Sequence, residues 1–147
     1  IDAAKLVRFA FHFQKGLAGA NEEILAEARN SPVHPSLLDA FALLLVAGAQ
    51  QNVIDDVEGH ELDEKTLRDK AARIKAAYER FRAIEPDTGS YCAEMNFHEE
   101  NWRTRAWGDN YDRLLAIKKH YDPEGLFVGH HQVGSEYWSE DGFTKRP

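Results

Sequence analysis

An α+β fold is the class the sequence predicts, with helices packed on one side of a few antiparallel strands. Three observations lead there. Leu67, Ala71, Ile74, Tyr78 and Phe81 recur at steps of four, three, four and three, the stripe of an amphipathic helix whose other face is charged. Phe41-Ala42-Leu43-Leu44-Leu45-Val46-Ala47 is a continuous apolar run closed by Gly48, which periodicity alone leaves open between a buried strand and a helix segment. Pro86 and Gly89 then break the long helix and lead into an extended stretch over residues 90–97.

Taken in order, the chain opens with a predicted helix, because Leu6, Phe9 and Phe13 fall at spacings of three and four with Val7 and Ala10 beside them. Gly16 and Gly19 interrupt it. A second helix is expected from about residue 21 to 29, with Asn21 as cap and Glu22 and Glu23 at the positive end of its dipole. Asn30-Ser31-Pro32 ends it, and Ser36 with Asp39 makes a capping-box pattern for a short helical turn. After the apolar run, residues 50–61 are polar and acidic and read as an exposed loop, followed by the long helix over 63–84.

The tail carries further signals. As a strand, residues 90–97 would place Tyr91, Ala93, Met95 and Phe97 on one face and Cys92, Glu94 and Asn96 on the other. Gly108-Asp109-Asn110-Tyr111-Asp112 is a helix start, with Asp109 as cap, Asp112 reaching back, and Leu114, Leu115 and Ile117 as the buried face. Backbone N–H groups and a positive dipole end gather there and favour an electron-rich ligand edge. Asp122-Pro123-Glu124-Gly125 is a turn by its proline and glycine. No internal repeat or low-complexity tract interrupts the pattern.

Composition narrows the possible partners. The chain has 147 residues, enough for one domain with a modest core, and 18 Lys and Arg stand against 25 Asp and Glu. Such an acidic balance opposes nucleic acid, whose phosphates need clustered cations. No charged-then-apolar leader and no bilayer-length apolar run occurs within the chain, so no membrane partner is expected. A single cysteine, Cys92, precludes an internal disulfide and a thiolate-rich zinc site, and suits packing. His130 and His131 tempt as a metal pair, but neighbours on an extended segment point in opposite directions, and no HExxH spacing occurs; no metal is expected. Trp102 and Trp107 read as core-closing aromatics.

One order of motifs goes beyond this physical reading. Gly89-Ser90-Tyr91-Cys92-Ala93-Glu94-Met95-Asn96-Phe97 is followed by Trp107-Gly108-Asp109-Asn110-Tyr111, then by Lys118-Lys119-His120-Tyr121-Asp122-Pro123-Glu124-Gly125-Leu126-Phe127 and a short ending through Val133-Gly134-Ser135-Glu136. That succession resembles the C-terminal end of the FAD-linked oxidases of the vanillyl-alcohol-oxidase type, within them the berberine-bridge-enzyme-like branch. The resemblance is strong over about the last 60 residues. Complete oxidases of that type are several times longer.

The resemblance implies a strand in the apolar run at 41–47, since related oxidases carry a substrate-domain strand after a similar Pro-x-x-x-Asp-Ala. It implies FAD as cofactor, a small-molecule substrate with a C–OH group, and the N-terminal FAD-binding part of the same enzyme as partner. Residues 1–88 would belong to the substrate (cap) domain, and residues 89–147 would return to the FAD-binding domain. Flavin oxidation asks the protein to hold the isoalloxazine edge, place donors where charge builds on reduction, and supply a base near the oxidised carbon. Tyr91 would take the place of the active-site tyrosine, and Asn110 and Tyr111 would contact the cofactor. Many relatives have Tyr-x-Asn where this chain has Ala93, so that asparagine's hydrogen bonds do not carry over. The glycine-rich pyrophosphate loop and the flavin-tethering histidine are not in these residues, and alone they should not hold FAD. The competing class is a non-catalytic helical interaction module that keeps the oxidase tail as a scaffold. A stand-alone binding protein using Phe9, Phe11 and Phe13 as a partner surface is a further alternative.

Overall fold

Phe9, Phe11 and Phe13 alternate with Ala10 and His12, and a period of two suits a pleated strand better than a helix. In the computed structural model, which describes residues 2–14, 17–48, 52–54 and 56–146, Phe9–Phe13 is indeed strand β1. The helix expected at the start of the chain is therefore reduced to a 3-10 turn over Asp2–Lys5. The deciding influence is tertiary: β1 finds an apolar partner in β2 (Ala42–Val46), antiparallel, with Phe9 opposite Val46 and Phe13 opposite Ala42. The apolar run at 41–47 resolves as strand, as the resemblance implied. The expected interruption at Gly16 lies outside the described residues; that at Gly19 is a turn with φ +83°.

The chain divides into two compact units, each built from two stretches of sequence. Unit 1 is Ile1–Gln14 with Phe41–Asp87, and unit 2 is Lys15–Ala40 with Thr88–Pro147. In unit 1 the long helix α2 (Glu64–Ile84) packs its apolar stripe on the first turn and on β2. Phe81 meets Phe9 edge-on at 5.3 Å, and Ala77 is fully buried. Asp63 caps this helix through the N–H of Thr66 at 2.9 Å. Pairs such as Lys65–Asp69, 2.8 Å apart, decorate its exposed face and contribute little.

In unit 2, α1 (Glu22–Arg29) starts at Asn21, whose side chain accepts the N–H of Ile24 at 2.9 Å. The helical turn after it is a 3-10 turn over Pro35–Leu38. Its cap is His34 rather than the expected Ser36, and Asp39 pairs with Arg29 at 3.1 Å instead of completing a capping box. Helix α3 (Trp102–Trp107) and helix α4 (Tyr111–Tyr121) are joined by a 3-10 turn over Gly108–Asn110. That turn moves the start of α4 past Asp109, which is not its cap; Asn110 occupies the cap position without a side-chain capping bond. Leu114 and Leu115 pack on the core as expected, whereas Ile117 is 43% exposed. Gly125, at φ +71°, closes the Asp122 turn through its N–H to the Asp122 carbonyl at 3.1 Å.

The expected strand over 90–97 does not form. Glu94 donates its N–H to the Tyr91 carbonyl at 3.1 Å, and Asn96 accepts the His98 N–H through Oδ1 at 3.1 Å, so the segment coils through successive turns. It contains no β-branched residue, and no described strand lies beside it to complete a ladder.

Buried apolar residues among those described are few: Ala3 and Ala77 in unit 1, and Ala106, Trp107 and Tyr111 in unit 2. The chain exposes 11157 Å², where two separate folded globules with the masses of these units would together expose about 9,000 Å². Tyr121, Leu126, Phe127 and Phe143 all present their side chains outward. No described helix is long and apolar enough to cross a membrane.

Candidate functional site

Three stretches of unit 2 converge on the predicted site residues: 30–36, 88–111 and 129–138. His34 is extended, as a residue before proline must be. Its Nδ1 accepts the Ser36 N–H at 3.1 Å and lies 2.8 Å from Ser36 Oγ. Ser36 Oγ in turn accepts the N–H of Gly89 at 3.1 Å. One residue on, the Ser90 N–H donates to the Arg105 carbonyl at 2.7 Å, near the end of α3. These bonds hold the backbone leading into Tyr91 from two sides. The side chain of Tyr91 stands half out in solvent at 50% exposure, away from the core.

Asn110 points inward. Its Nδ2 donates to the carbonyls of Ser31 at 3.2 Å and Val33 at 2.8 Å. Both amide protons are thereby committed, and Oδ1 is the side-chain atom left to meet a ligand. Arg113 ties the same stretch from one turn further along α4, donating to the carbonyls of Asn30 at 3.0 Å and Ser31 at 3.2 Å.

Tyr111 is 8% exposed. Its hydroxyl donates across the Glu136 carboxylate, 2.5 and 2.6 Å from the two oxygens, and accepts the Gly134 N–H at 3.2 Å. Burial, and then the neighbouring carboxylate, push the phenol well above its ordinary pKa, so it stays a donor. Arg103 lies 3.7 Å from Glu136, with its guanidinium 5.8 Å from the ring centroids of both Trp102 and Tyr111. Trp102 and Trp107 close the core as expected, and the buried Trp107 Nε1 has no hydrogen-bond partner. Cys92 and Met95 pack on that core, whereas Phe97 is exposed, so the two-face alternation expected for a strand is replaced by the geometry of turns.

A column of rings lies beside this network. Phe97 stacks on His130 at 3.9 Å, His130 lies tilted against His131 at 3.7 Å, His131 stacks on Trp102 at 5.5 Å, and Trp102 meets Tyr111 edge-on at 5.8 Å. The two histidines therefore lie on the same side, contrary to expectation. His131 has φ +57°, a left-handed backbone that removes the alternation of an extended segment. His130 Nε2 donates to the Phe97 carbonyl at 2.7 Å, and burial followed by the adjacent His130 holds His131 below the ordinary imidazole pKa. A cleft of about 230 Å³ opens between Cys92, Met95, Phe97 and the two histidines.

The donor set decides what part of a cofactor could rest here. Tyr91, Asn110 and Tyr111 are uncharged, the Trp102 ring lies edge-on to Tyr111, Asp109 and Asp112 stand at the start of α4, and Glu136 lies against Tyr111. Acidic neighbours repel phosphates, while uncharged polar atoms and ring faces suit a neutral heteroaromatic system. The residues present fit the ring end of a flavin and not its pyrophosphate.

Residues 90–134 match the family model described as berberine and berberine like. Over this segment the chain is similar to the berberine-bridge-enzyme-like family. Around the berberine-like segment, the chain is 33% identical over 123 residues to the FAD-linked oxidoreductase malF of Malbranchea aurantiaca, covering 80% of this chain and 19% of that protein. It is 31% identical over 140 residues to an uncharacterized FAD-linked oxidoreductase of Arthroderma benhamiae, covering 91% of this chain and 23% of that protein. Over 62 residues it is 45% identical to the FAD-linked oxidoreductase ZEB1 of Gibberella zeae, covering 41% of this chain and 11% of that protein. The chain thus spans less than a quarter of the length of these relatives. No solved structure matches it.

Sequence reasoning singled out Tyr91, Asn110 and Tyr111 but missed what fixes them. Residues 30–36 looked like a helix terminator, and Glu136 lay in a conspicuous turn without a role. The one available signal was His34 before Pro35, with Ser31 and Ser36 nearby.

Proposed function

We propose that this chain is the C-terminal portion of an FAD-dependent oxidoreductase that oxidises an alcohol, sugar or related C–OH substrate by hydride transfer to flavin. Residues 1–88 serve the substrate (cap) domain in this reading, and residues 89–147 return to the FAD-binding domain. The observation that carries it is Tyr91: an exposed phenol on a backbone pinned at Gly89 and Ser90, inside a berberine-like segment.

Flavin, when bound, supplies the two-electron acceptor. Tyr91 Oη would orient the substrate hydroxyl and, as the phenolate, take its proton while the hydride leaves the carbon, a role that requires a phenol reachable from solvent yet fixed in place. Asn110 offers Oδ1 to a ring N–H, and Tyr111, whose hydroxyl is committed to Glu136, contributes its place at the start of α4. The exposed aromatic and aliphatic side chains of unit 2, and the surface in excess of two folded globules, support a partner surface for the FAD-binding part of the same enzyme.

The test is Tyr91→Phe in the full-length protein. Flavin absorbance is expected to stay at the wild-type level while turnover falls about 10²- to 10⁴-fold, the range for loss of a general acid or base. Full-length protein that purifies colourless, or a variant that turns over at the wild-type rate, would refute the assignment.

A further inference from the structure

We propose that His34 is a positioning residue that locks the Tyr91 backbone and the Asn110–Tyr111 helix start into one register. The inference rests on the redox reading given above and adds to it the group that sets the site's geometry.

Both glycines flanking the candidate site close on the same imidazole. A Cβ built on Gly89 would come within 2.3 Å of His34 Cγ, and one built on Gly108 within 2.9 Å of His34 Nε2. Each backbone thus reaches the ring more closely than any other residue type would permit. The ring's polar atoms continue the link. Because Nδ1 accepts from Ser36, the neutral ring carries its proton on Nε2, on the side facing the Thr104 carbonyl. Ser36 Oγ donates to Nδ1 and receives the Gly89 N–H, so an unbroken path runs from the imidazole to the residue two before Tyr91. The carbonyls of Ser31 and Val33, just before His34, hold the Asn110 amide. Removing the ring therefore loosens two segments at once.

The ring must be neutral to accept from Ser36. Burial lowers its pKa, against the pull of Asp109 and of the Thr104 carbonyl, which favour the charged form. Protonation at Nδ1 turns the acceptor into a donor facing the Ser36 N–H and breaks the bond that caps the 35–38 turn.

Hydrogen–deuterium exchange on the full-length protein reads the lock without reference to activity. His34→Ala is expected to raise exchange about tenfold or more in amides 89–92 and 108–112 together, whereas Ser36→Ala raises it in 89–92 alone. In turnover, His34→Ala lowers kcat by about 10- to 100-fold through misplacement, with flavin content unchanged. His34→Asn, whose Oδ1 replaces Nδ1 as acceptor, recovers part of that rate and lacks the acid-side fall in kcat that the titrating imidazole imposes. If His34→Ala does not fold, His34→Asn and Ser36→Ala carry the test. Wild-type exchange in both segments, or an acid limb unchanged in His34→Asn, would overturn the proposal. Raised exchange in His34→Ala, where the wild-type protein neither binds flavin nor turns over, would overturn the redox reading and leave the lock standing.

Discussion

Removing one hydroxyl, in Tyr111→Phe, tests the geometry of unit 2 most directly. In the folded protein that group donates to both Glu136 oxygens, at 2.5 and 2.6 Å, and accepts the Gly134 N–H at 3.2 Å. A hydrogen bond to a charged group contributes about 1.5–3 kcal/mol, and stranding a buried N–H adds a desolvation cost of similar size. Glu136 keeps Arg103 at 3.7 Å and some access to water, with 22% of its side chain exposed. The carboxylate is therefore partly compensated, and a net loss of about 3 kcal/mol follows. For a unit of this size that corresponds to a fall in Tm of roughly 15 °C, measured by circular dichroism with an unchanged denaturant m value. The pH dependence gives a second reading. Because the folded phenol titrates above the ordinary 10.0, its contribution is complete below that value and is lost as the pH rises through the folded pKa; the variant lacks this alkaline loss. A cycle with Glu136→Gln should give a coupling of about 1.5–3 kcal/mol. A loss below about 0.5 kcal/mol, or no coupling to Glu136, would show that the hydroxyl does not hold the tail to α4.

Gly108→Ala meets both a positive φ and the His34 ring, and should destabilise by about 2 kcal/mol or more, whereas Gly142→Ala, with φ +75° and open space around it, should cost about 1 kcal/mol; chemical denaturation separates the two. Asp122, held by Lys118 and by the N–H groups of Phe127 and Leu126, titrates at about 2 rather than the ordinary 3.8. Its depressed pKa contributes stability present above 3.8 and lost as pH falls toward about 2, and Lys118→Met should move that loss to higher pH in a carboxyl NMR titration. His34 has the same sense of dependence from the opposite chemistry. The unfolded imidazole takes up its proton first, so stability should fall as pH drops through the ordinary 6.5 toward the lowered folded value, and His34→Asn should flatten that slope in pH-dependent denaturation.

Where local chemistry and long-range packing agree, the elements could be read directly. The α2 stripe, the Asn21 cap and the Asp122 turn use residues whose preferences are satisfied within a few positions. The 9–13 segment offered two periods, three-to-four through Leu6, Phe9 and Phe13, and two through Phe9, Phe11 and Phe13. Pairing with Ala42–Val46 selected the second, which the alternation allowed but could not decide without knowledge of the partner strand. Residues 90–97 failed as a strand for the complementary reason: an extended reading needs a ladder partner, and turn bonds at Tyr91 and Asn96 were available without one. Within the site, the polar residues at 91 and 110–111 stood out by type and order. Their partners at 31, 33, 34, 36 and 136 did not, because hydrogen bonds across 25 to 79 positions leave no periodic trace in the sequence.

The interleaving of the two units has a practical meaning for anyone dissecting the molecule. Neither is encoded by one uninterrupted stretch, since Phe41–Asp87 separates the two parts of the unit that contains Tyr91. Truncation at residue 88 would strip the berberine-like tail of the carbonyls and hydroxyl that seat it, and would yield a peptide without its template. Complementation should succeed where truncation fails: a fragment carrying residues 15–40, added back to the tail, restores those partners. Natural variation in the length of the intervening excursion, by contrast, should leave the seat intact, because closing a longer loop costs only logarithmically more.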